Sequence, residues 1–196
     1  MNKVVFLLPL SAMFMLFYFG YLYISSEEAI TNERLQNEII IDVNAERVGD
    51  DVFLKGKWDW TTMPVDGIVG DDYIAITIQR DDRTGINTEK IVSSSLTLLK
   101  GEKVLETIGP QIFEDGIIFK FPNKLIEHES YGNRGEVELV LQLEEEEELV
   151  VAFSYIHTWK EHDNLTIDET LLLEKVVKEL LYPKYWIVQR FFTLKG

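Results

Sequence analysis

Hydrophobic and polar positions divide the chain into stretches of different period. From Val4 to Ile24 only Pro9, Ser11 and Gly20 fall outside the hydrophobic set, and no charge interrupts the run. As a helix rising 1.5 Å per residue, such a run is roughly 30 Å long, about the thickness of a bilayer's hydrocarbon core. The pattern predicts a cytoplasmic stub and transmembrane signal-anchor over residues 1–24. Lys3 precedes the run and no Lys or Arg follows until Arg34. The positive-inside bias then puts the N-terminus in the cytoplasm and the rest of the chain outside. Phe17, Tyr18, Phe19, Tyr21 and Tyr23 suit the outer interface, where aromatic rings concentrate. The competing reading is a cleavable signal peptide, which would leave a secreted domain. Its apolar core is commonly shorter and ends at small residues, whereas this run ends in the bulky Tyr21-Leu22-Tyr23-Ile24.

Residues 25–37, SSEEAITNERLQN, are polar and predict a linker. From 38 to 160 the period is two. Ile39, Ile41 and Val43 share one face of a strand. Val52, Leu54, Gly56, Trp58 and Trp60 share one face of the next, opposite Phe53, Lys55, Lys57 and Asp59. Ile74, Ile76 and Ile78 alternate with Tyr73, Ala75, Thr77 and Gln79, and Val137, Leu139 and Leu141 with Glu136, Glu138 and Val140. Alternation of this kind marks half-buried antiparallel strands. Further strands are expected over 91–99, 103–108, 116–121 and 149–160, eight in all. Turn residues separate them, among them Gly49-Asp50-Asp51, Lys100-Gly101-Glu102 and Tyr131-Gly132-Asn133. That density predicts a mainly β fold, an antiparallel β-sandwich of immunoglobulin-like architecture, because a lone sheet would leave an apolar face uncovered.

After Lys160 the period lengthens. Thr166-x-x-Glu169 fits a capping box, and Leu172, Leu173, Val176, Val177, Leu180 and Leu181 recur at helical spacing until Pro183. Residues 161–196 are thus expected to hold an amphipathic helix over 167–181, packed on the sandwich or serving as an interaction face. An apolar-basic tail follows, KYWIVQRFFTLKG, which is either a last strand or a surface segment.

Composition changes this picture in two respects. The 196 residues carry a formal charge of −15, and the apolar N-terminal run contains one cation and no acid, so the remainder holds −16. An anionic surface of that size argues against a nucleic-acid partner, which needs a basic footprint. The chain also has no cysteine, which excludes disulfides, thiolate metal sites and a lipid-modified cysteine. An exported domain without disulfides suits a bacterial envelope.

Candidate chemistry is sparse. His157 and His162 are five apart, a spacing that aligns them on neither a helix nor a strand face, and no HExxH arrangement exists. His157 shares a strand face with Phe153, Tyr155 and Trp159, so a packed, hydrogen-bonded role is expected. His128 lies between two glutamates and suits a solvated loop. Ser93, Ser94 and Ser95 lack the GxSxG turn of a nucleophile and suit a polar strand face. Glu144 to Glu148 fits a solvated, self-repelling loop. Asn164-Leu165-Thr166 matches a glycosylation sequon, which means little in a bacterium.

The stretch from Trp58 to Tyr73 holds the strongest binding candidates. Trp58 and Trp60 point the same way, and Asp59, Asp66, Asp71 and Asp72 accompany a loop containing Pro64, Gly67 and Gly70. Aromatic rings beside carboxylates suit a sugar or peptide, and carboxylate oxygens suit calcium. No EF-hand spacing surrounds them, so no cofactor or metal is expected. The simpler reading places both rings in the core. The whole pattern fits a membrane-anchored, non-enzymatic binding or assembly module of the bacterial envelope that contacts another protein. A carbohydrate- or cell-wall-binding module built on Trp58, Trp60 and the acidic loop is the alternative, and an envelope hydrolase a third reading.

Overall fold

The computed structural model describes residues 3–26, 29–80, 90–113, 116–127, 129–142, 149–159 and 185–194. The chain forms two compact units, residues 1–30 and 31–196. The first holds a single helix, α1 (Lys3–Ser26), with Pro9 inside it. Successive side chains from Met13 to Phe19 are all exposed, so no side of this helix is reserved for a protein core. Among the described residues no helix is long and apolar enough to cross a membrane. Within α1 the described side chains run unbroken only from Pro9 to Leu22, short of the roughly 20 residues a span needs.

The second unit is mainly β. Its strands are β1 (Ile39–Val48), β2 (Asp51–Trp60), β3 (Asp71–Arg80), β4 (Ile91–Lys100), β5 (Lys103–Ile108), β6 (Gln111–Phe113), β7 (Gly116–Pro122), β8 (Lys124–Ile126), β9 (Glu129–Tyr131), β10 (Arg134–Gln142), β11 (Leu149–Thr158) and β12 (Tyr185–Leu194). Two five-stranded sheets form, in the orders β1-β2-β10-β4-β5 and β12-β11-β3-β7-β6, and β8 pairs with β9 as a small hairpin. Every pairing is antiparallel.

The two sheets face each other across an apolar core. On the first sheet the alternation in the sequence becomes alternation in burial: Val52, Leu54, Trp58 and Trp60 of β2 and Val137, Leu139 and Leu141 of β10 point inward. On the second, Ile74, Ile76 and Ile78 of β3 stand opposite Tyr155, Phe153 and Val151 of β11 and fill the same core. The sheets meet at rings. Trp58 lies 5.1 Å from Phe121 and 5.9 Å from Tyr155 between centroids, and a Cβ at Gly56 would collide with the ring of Phe153. Small residues are therefore required where an aromatic crosses from the opposite sheet.

Three expectations change. The tail becomes β12, which pairs with β11 from Thr158↔Tyr185 to Leu149↔Leu194, so the sandwich continues past residue 160 to Leu194. The compact unit begins at Thr31 rather than after the expected linker, because Asn32 and Leu35 are buried and a 3-10 turn at Leu35–Asn37 packs against β12. The alternation of β3 is not half-exposed: Tyr73 and Ala75, on the side away from the core, are as buried as Ile74 and Ile76. The helix expected over 167–181, the glutamate run 144–148, His128, His162 and the sequon at Asn164 lie outside the described residues.

Candidate functional site

At the end of the sandwich where residue 31 enters, four elements bring polar side chains into the core. β3 begins with Asp72, β7 gives way to Asn123, β11 ends with Tyr155, His157 and Thr158, and the turn before β1 supplies Asn32. Strand parity explains the first and third. Asp72 lies in phase with Ile74 and Ile76, and Tyr155 and His157 lie in phase with Phe153, so all three point inward.

Asp72 is wholly buried and accepts a full set of hydrogen bonds. Tyr155 donates its hydroxyl to Oδ2 at 2.6 Å, while the Thr158 backbone N–H and the Asn123 amide donate to Oδ1, each at 3.0 Å. His157 Nδ1 lies 3.0 Å from Oδ1 and 3.1 Å from Oδ2. On the other side of the ring, Nε2 lies 2.9 Å from Asn32 Oδ1. Asn32 cannot be turned over, because its amide nitrogen already donates to Asp66 Oδ1 and to the Gly67 carbonyl, both at 2.8 Å. Nε2 of His157 thus faces the Asn32 carbonyl oxygen, and Nδ1 faces the Asp72 carboxylate with the Asn123 amide nitrogen also 3.1 Å away. Burial, then the negative charge of Asp72, push the Tyr155 hydroxyl well above the usual tyrosine range, so it stays protonated and donates.

Aromatic rings seal the cluster. Trp60 meets His157 edge-on at 5.1 Å, Trp186 lies 4.8 Å from it, and Trp159 stacks on it at 5.5 Å. The indoles also complete the hydrogen bonding: Trp60 Nε1 donates to Tyr155 Oη, Trp186 Nε1 to the Asn32 carbonyl and Trp58 Nε1 to the Gly132 carbonyl. Asn123 Oδ1 is buried without a hydrogen-bond partner.

These contacts decide what the sequence candidates do. Trp58 and Trp60 are 1% and 5% exposed. They cannot stack on a sugar, which corrects the binding role expected of them and leaves the core role. Asp72 is buried, and its carboxylate is committed to the protein's own donors. Asp66 is likewise engaged, accepting from the Asn32 backbone N–H at 3.0 Å as well as from its side chain. Asp71 pairs with Lys120 at 2.9 Å and Asp59 faces Arg134 at 3.5 Å, both at the surface. The acidic loop is thus tied down by its carboxylates rather than presenting them. Among the described residues, no group of three or more His, Asp or Glu is arranged to hold a metal ion. His157 takes the packed, hydrogen-bonded place its strand face suggested. Asn32 and Asn123 escaped sequence reasoning, since a lone Asn in a polar stretch or beside a proline carries no pattern.

Chemically the cluster is a joint. A carboxylate saturated by Tyr, Asn, His and backbone donors has no lone pair directed at solvent, and a sealed imidazole cannot exchange protons with a substrate. Its effect is to clamp the 61–70 loop, the start of β1 and the ends of β3, β7 and β11 to one another.

The outer face of the first sheet is the contrasting surface. Lys55 is held between Glu138 and Glu136, which raise its pKa through hydrogen bonds, and Lys57 stands between Asp42 and Glu136 in the register. Toward the Gly49–Asp50 turn this charged field gives way to Val48, Phe53 and Val92, which are 59%, 44% and 62% exposed. Val140 lies directly opposite Phe53, and Val92 sits in the bulge of β4 beside it.

No family model matches the chain, and no curated relative does. Among solved structures, a macrocyclase described as catalysing macrocyclization in alchivemycin A biosynthesis is similar at a TM-score of 0.42 and 11% identity. That similarity covers 81% of this chain and 89% of the other. The collagen-binding subdomain of the Enterococcus faecalis surface protein ACE is similar at 0.35 and 8% identity, over 81% and 97%. Likenesses this weak assign neither activity to the chain.

Proposed function

We propose that this protein is a membrane-tethered, extracytoplasmic β-sandwich that binds another protein of the bacterial envelope and performs no catalysis. The observation that carries the reading is the division of labour between its two polar regions. The His/Asp/Tyr constellation is closed on itself, whereas the outer face of the first sheet presents Val48, Phe53 and Val92 within a charged surround. An apolar centre with a polar rim is the anatomy of a protein-binding surface. The tether rests on the apolar run from Val4 to Ile24 with Lys3 before it, all of which lies in α1.

The finer fold reading has support in connectivity. Strands β1-β2-β10-β4 opposite β12-β11-β3 reproduce the A-B-E-D and G-F-C orders of an immunoglobulin-like sandwich. The departure is a long excursion between β4 and β10 that sets β7 beside β3 and β6 at the sheet edge. Such sandwiches commonly serve as recognition modules on cell surfaces.

A photo-crosslinking residue placed at Phe53 in the full chain, irradiated in intact envelopes, is expected to give a discrete adduct with another envelope protein. The same probe at Leu125, exposed on the β8–β9 hairpin, is expected to give none. Equal yields at both positions, or no adduct at Phe53, would contradict the assignment of this face.

A further inference from the structure

The outer face of the first sheet is charged until one row. Along β2 its outward side runs Asp51, Phe53, Lys55, Lys57 and Asp59, so Phe53 is the one apolar member. β10 breaks its pattern at the same place, where Val140 follows Glu136 and Glu138 and pairs with Phe53. Both breaks fall in a single register row, Glu46-Phe53-Val140-Ser93. A cross-strand aromatic and aliphatic pair would account for those two alone. Val48 in the next row and Val92 in the bulge of β4 widen the patch, and both are more than half exposed. A sheet face that met only water would carry polar side chains at these positions.

Carboxylates border this patch. Glu46 pairs across the ladder with Phe53 itself, Asp51 stands opposite Val48, and Asp50 occupies the turn between β1 and β2. Among the described residues none of the three is in an ion pair. The cations nearby are committed elsewhere. Lys55 lies 3.2 Å from Glu136 and donates to Glu138. Arg47 is in phase with Val43 and Ala45 on the core side, and its Nε donates to the Gly49 carbonyl at 3.0 Å. Lys90 is itself engaged. A segment that covers Phe53, Val140 and Val48 also takes water from Glu46 and Asp51, and a carboxylate that loses water is strongly penalised unless a cation replaces it. We propose that the partner meets this face through a basic amphipathic segment, with apolar side chains on Phe53, Val140 and Val48 and Lys or Arg beside Glu46, Asp50 and Asp51. This rests on the reading of the face as a protein-binding surface and narrows what that surface takes. The apolar contact holds the partner, while the charges steer its approach and fix its register. A second copy of the chain does not fit, since its own face would set these carboxylates against their like.

The photo-crosslinking residue at Phe53 of the full chain, irradiated in intact envelopes, supplies the test. Cleaving the adduct after acidic residues and sequencing the crosslinked peptide by mass spectrometry is expected to find Lys or Arg within about four residues of the attachment point, the reach of neighbours on one helix face. This readout needs no further substitution. Glu46→Lys combined with Asp50→Lys, both at exposed positions, should lower the adduct yield roughly tenfold, an effect of the size that charge steering has on association. Glu102→Lys combined with Glu106→Lys changes the net charge equally on the exposed side of the β4–β5 hairpin and should leave the yield unchanged. Both double variants should melt like the parent. A yield that ignores the first pair or falls equally with the second, or a crosslinked peptide without Lys or Arg, would overturn the basic partner while leaving the face a binding surface. A crosslink to a second copy of the chain would overturn it as well. No adduct at all from Phe53 would remove the binding surface and this proposal with it.

Discussion

Asp72→Ala is expected to destabilise the sandwich by about 3–5 kcal/mol, because several buried donors lose their acceptor together at about 1–3 kcal/mol apiece. In a domain of this size that lowers the melting temperature by roughly 6–20 °C. The substitution strips an acceptor from Tyr155, from the Thr158 N–H, from the Asn123 amide and from His157 at once, and all of these are buried. Trp60, Trp186 and Trp159 pack around the His157 ring. A cycle with His157→Leu sharpens the result. Each single change leaves a stranded partner, whereas Asp72→Leu with His157→Leu removes both, so the double variant should lose less than the sum of the two. Thermal melts of the full chain in detergent read all four corners. Additive losses would mean that the two side chains do not act as a unit. Were the cluster a catalytic centre instead, substituting it would remove an activity while leaving stability largely intact.

The second large effect lies at Gly135. A Cβ there would meet the far edge of the Trp58 ring and the Thr97 carbonyl, so the indole lies across a strand position that only glycine leaves open. Gly135→Ala should cost about 1–3 kcal/mol by overpacking. Gly135→Val should cost more. Trp58 has little freedom to withdraw, since its indole N–H donates to the Gly132 carbonyl at 2.8 Å and its ring packs on Phe121 and Tyr155. Replacing the indole by a phenyl ring removes the atoms nearest that Cβ. Trp58→Phe is destabilising alone, through the lost hydrogen bond and volume, but should recover part of the Gly135→Ala loss in combination. The Thr97 carbonyl keeps the recovery incomplete. Urea denaturation of the parent, the two single variants and the double variant measures this coupling, and strict additivity would show that the glycine answers to the backbone rather than to the indole.

Parity made much of this core legible from sequence. The inward sets of β2 and β10 follow from simple alternation, and the same rule places Trp58 and Trp60 with Leu54 and Gly56, on the buried side. It also carries Asp72 inward with Ile74 and His157 inward with Phe153. What parity does not supply is register. That Ile156 meets Tyr73 and Tyr155 meets Ile74 depends on how two strands distant in sequence align, and only that alignment brings the carboxylate to the imidazole. Asn32 was illegible for a different reason, as it sits in a polar stretch whose composition resembles a linker and is ordered by Asp66, Gly67 and Trp186 from elsewhere in the chain. The three-residue strands β6, β8 and β9 are too short to show a period. β12 was ambiguous because Gln189 and Arg190 interrupt its apolar pattern, which the pairing with β11 tolerates at a sheet edge.

The proposed tethering of an extracytoplasmic sandwich through the apolar run from Val4 to Ile24 has a direct test in a single cysteine. Lys103→Cys, exposed at the start of the edge strand β5, introduces the only thiol of the chain. In intact cells a membrane-impermeant maleimide should label it fully, and the labelled protein should stay with the membrane fraction through an alkaline wash. Labelling that appears only after lysis, or labelled protein released into the medium, would contradict the account.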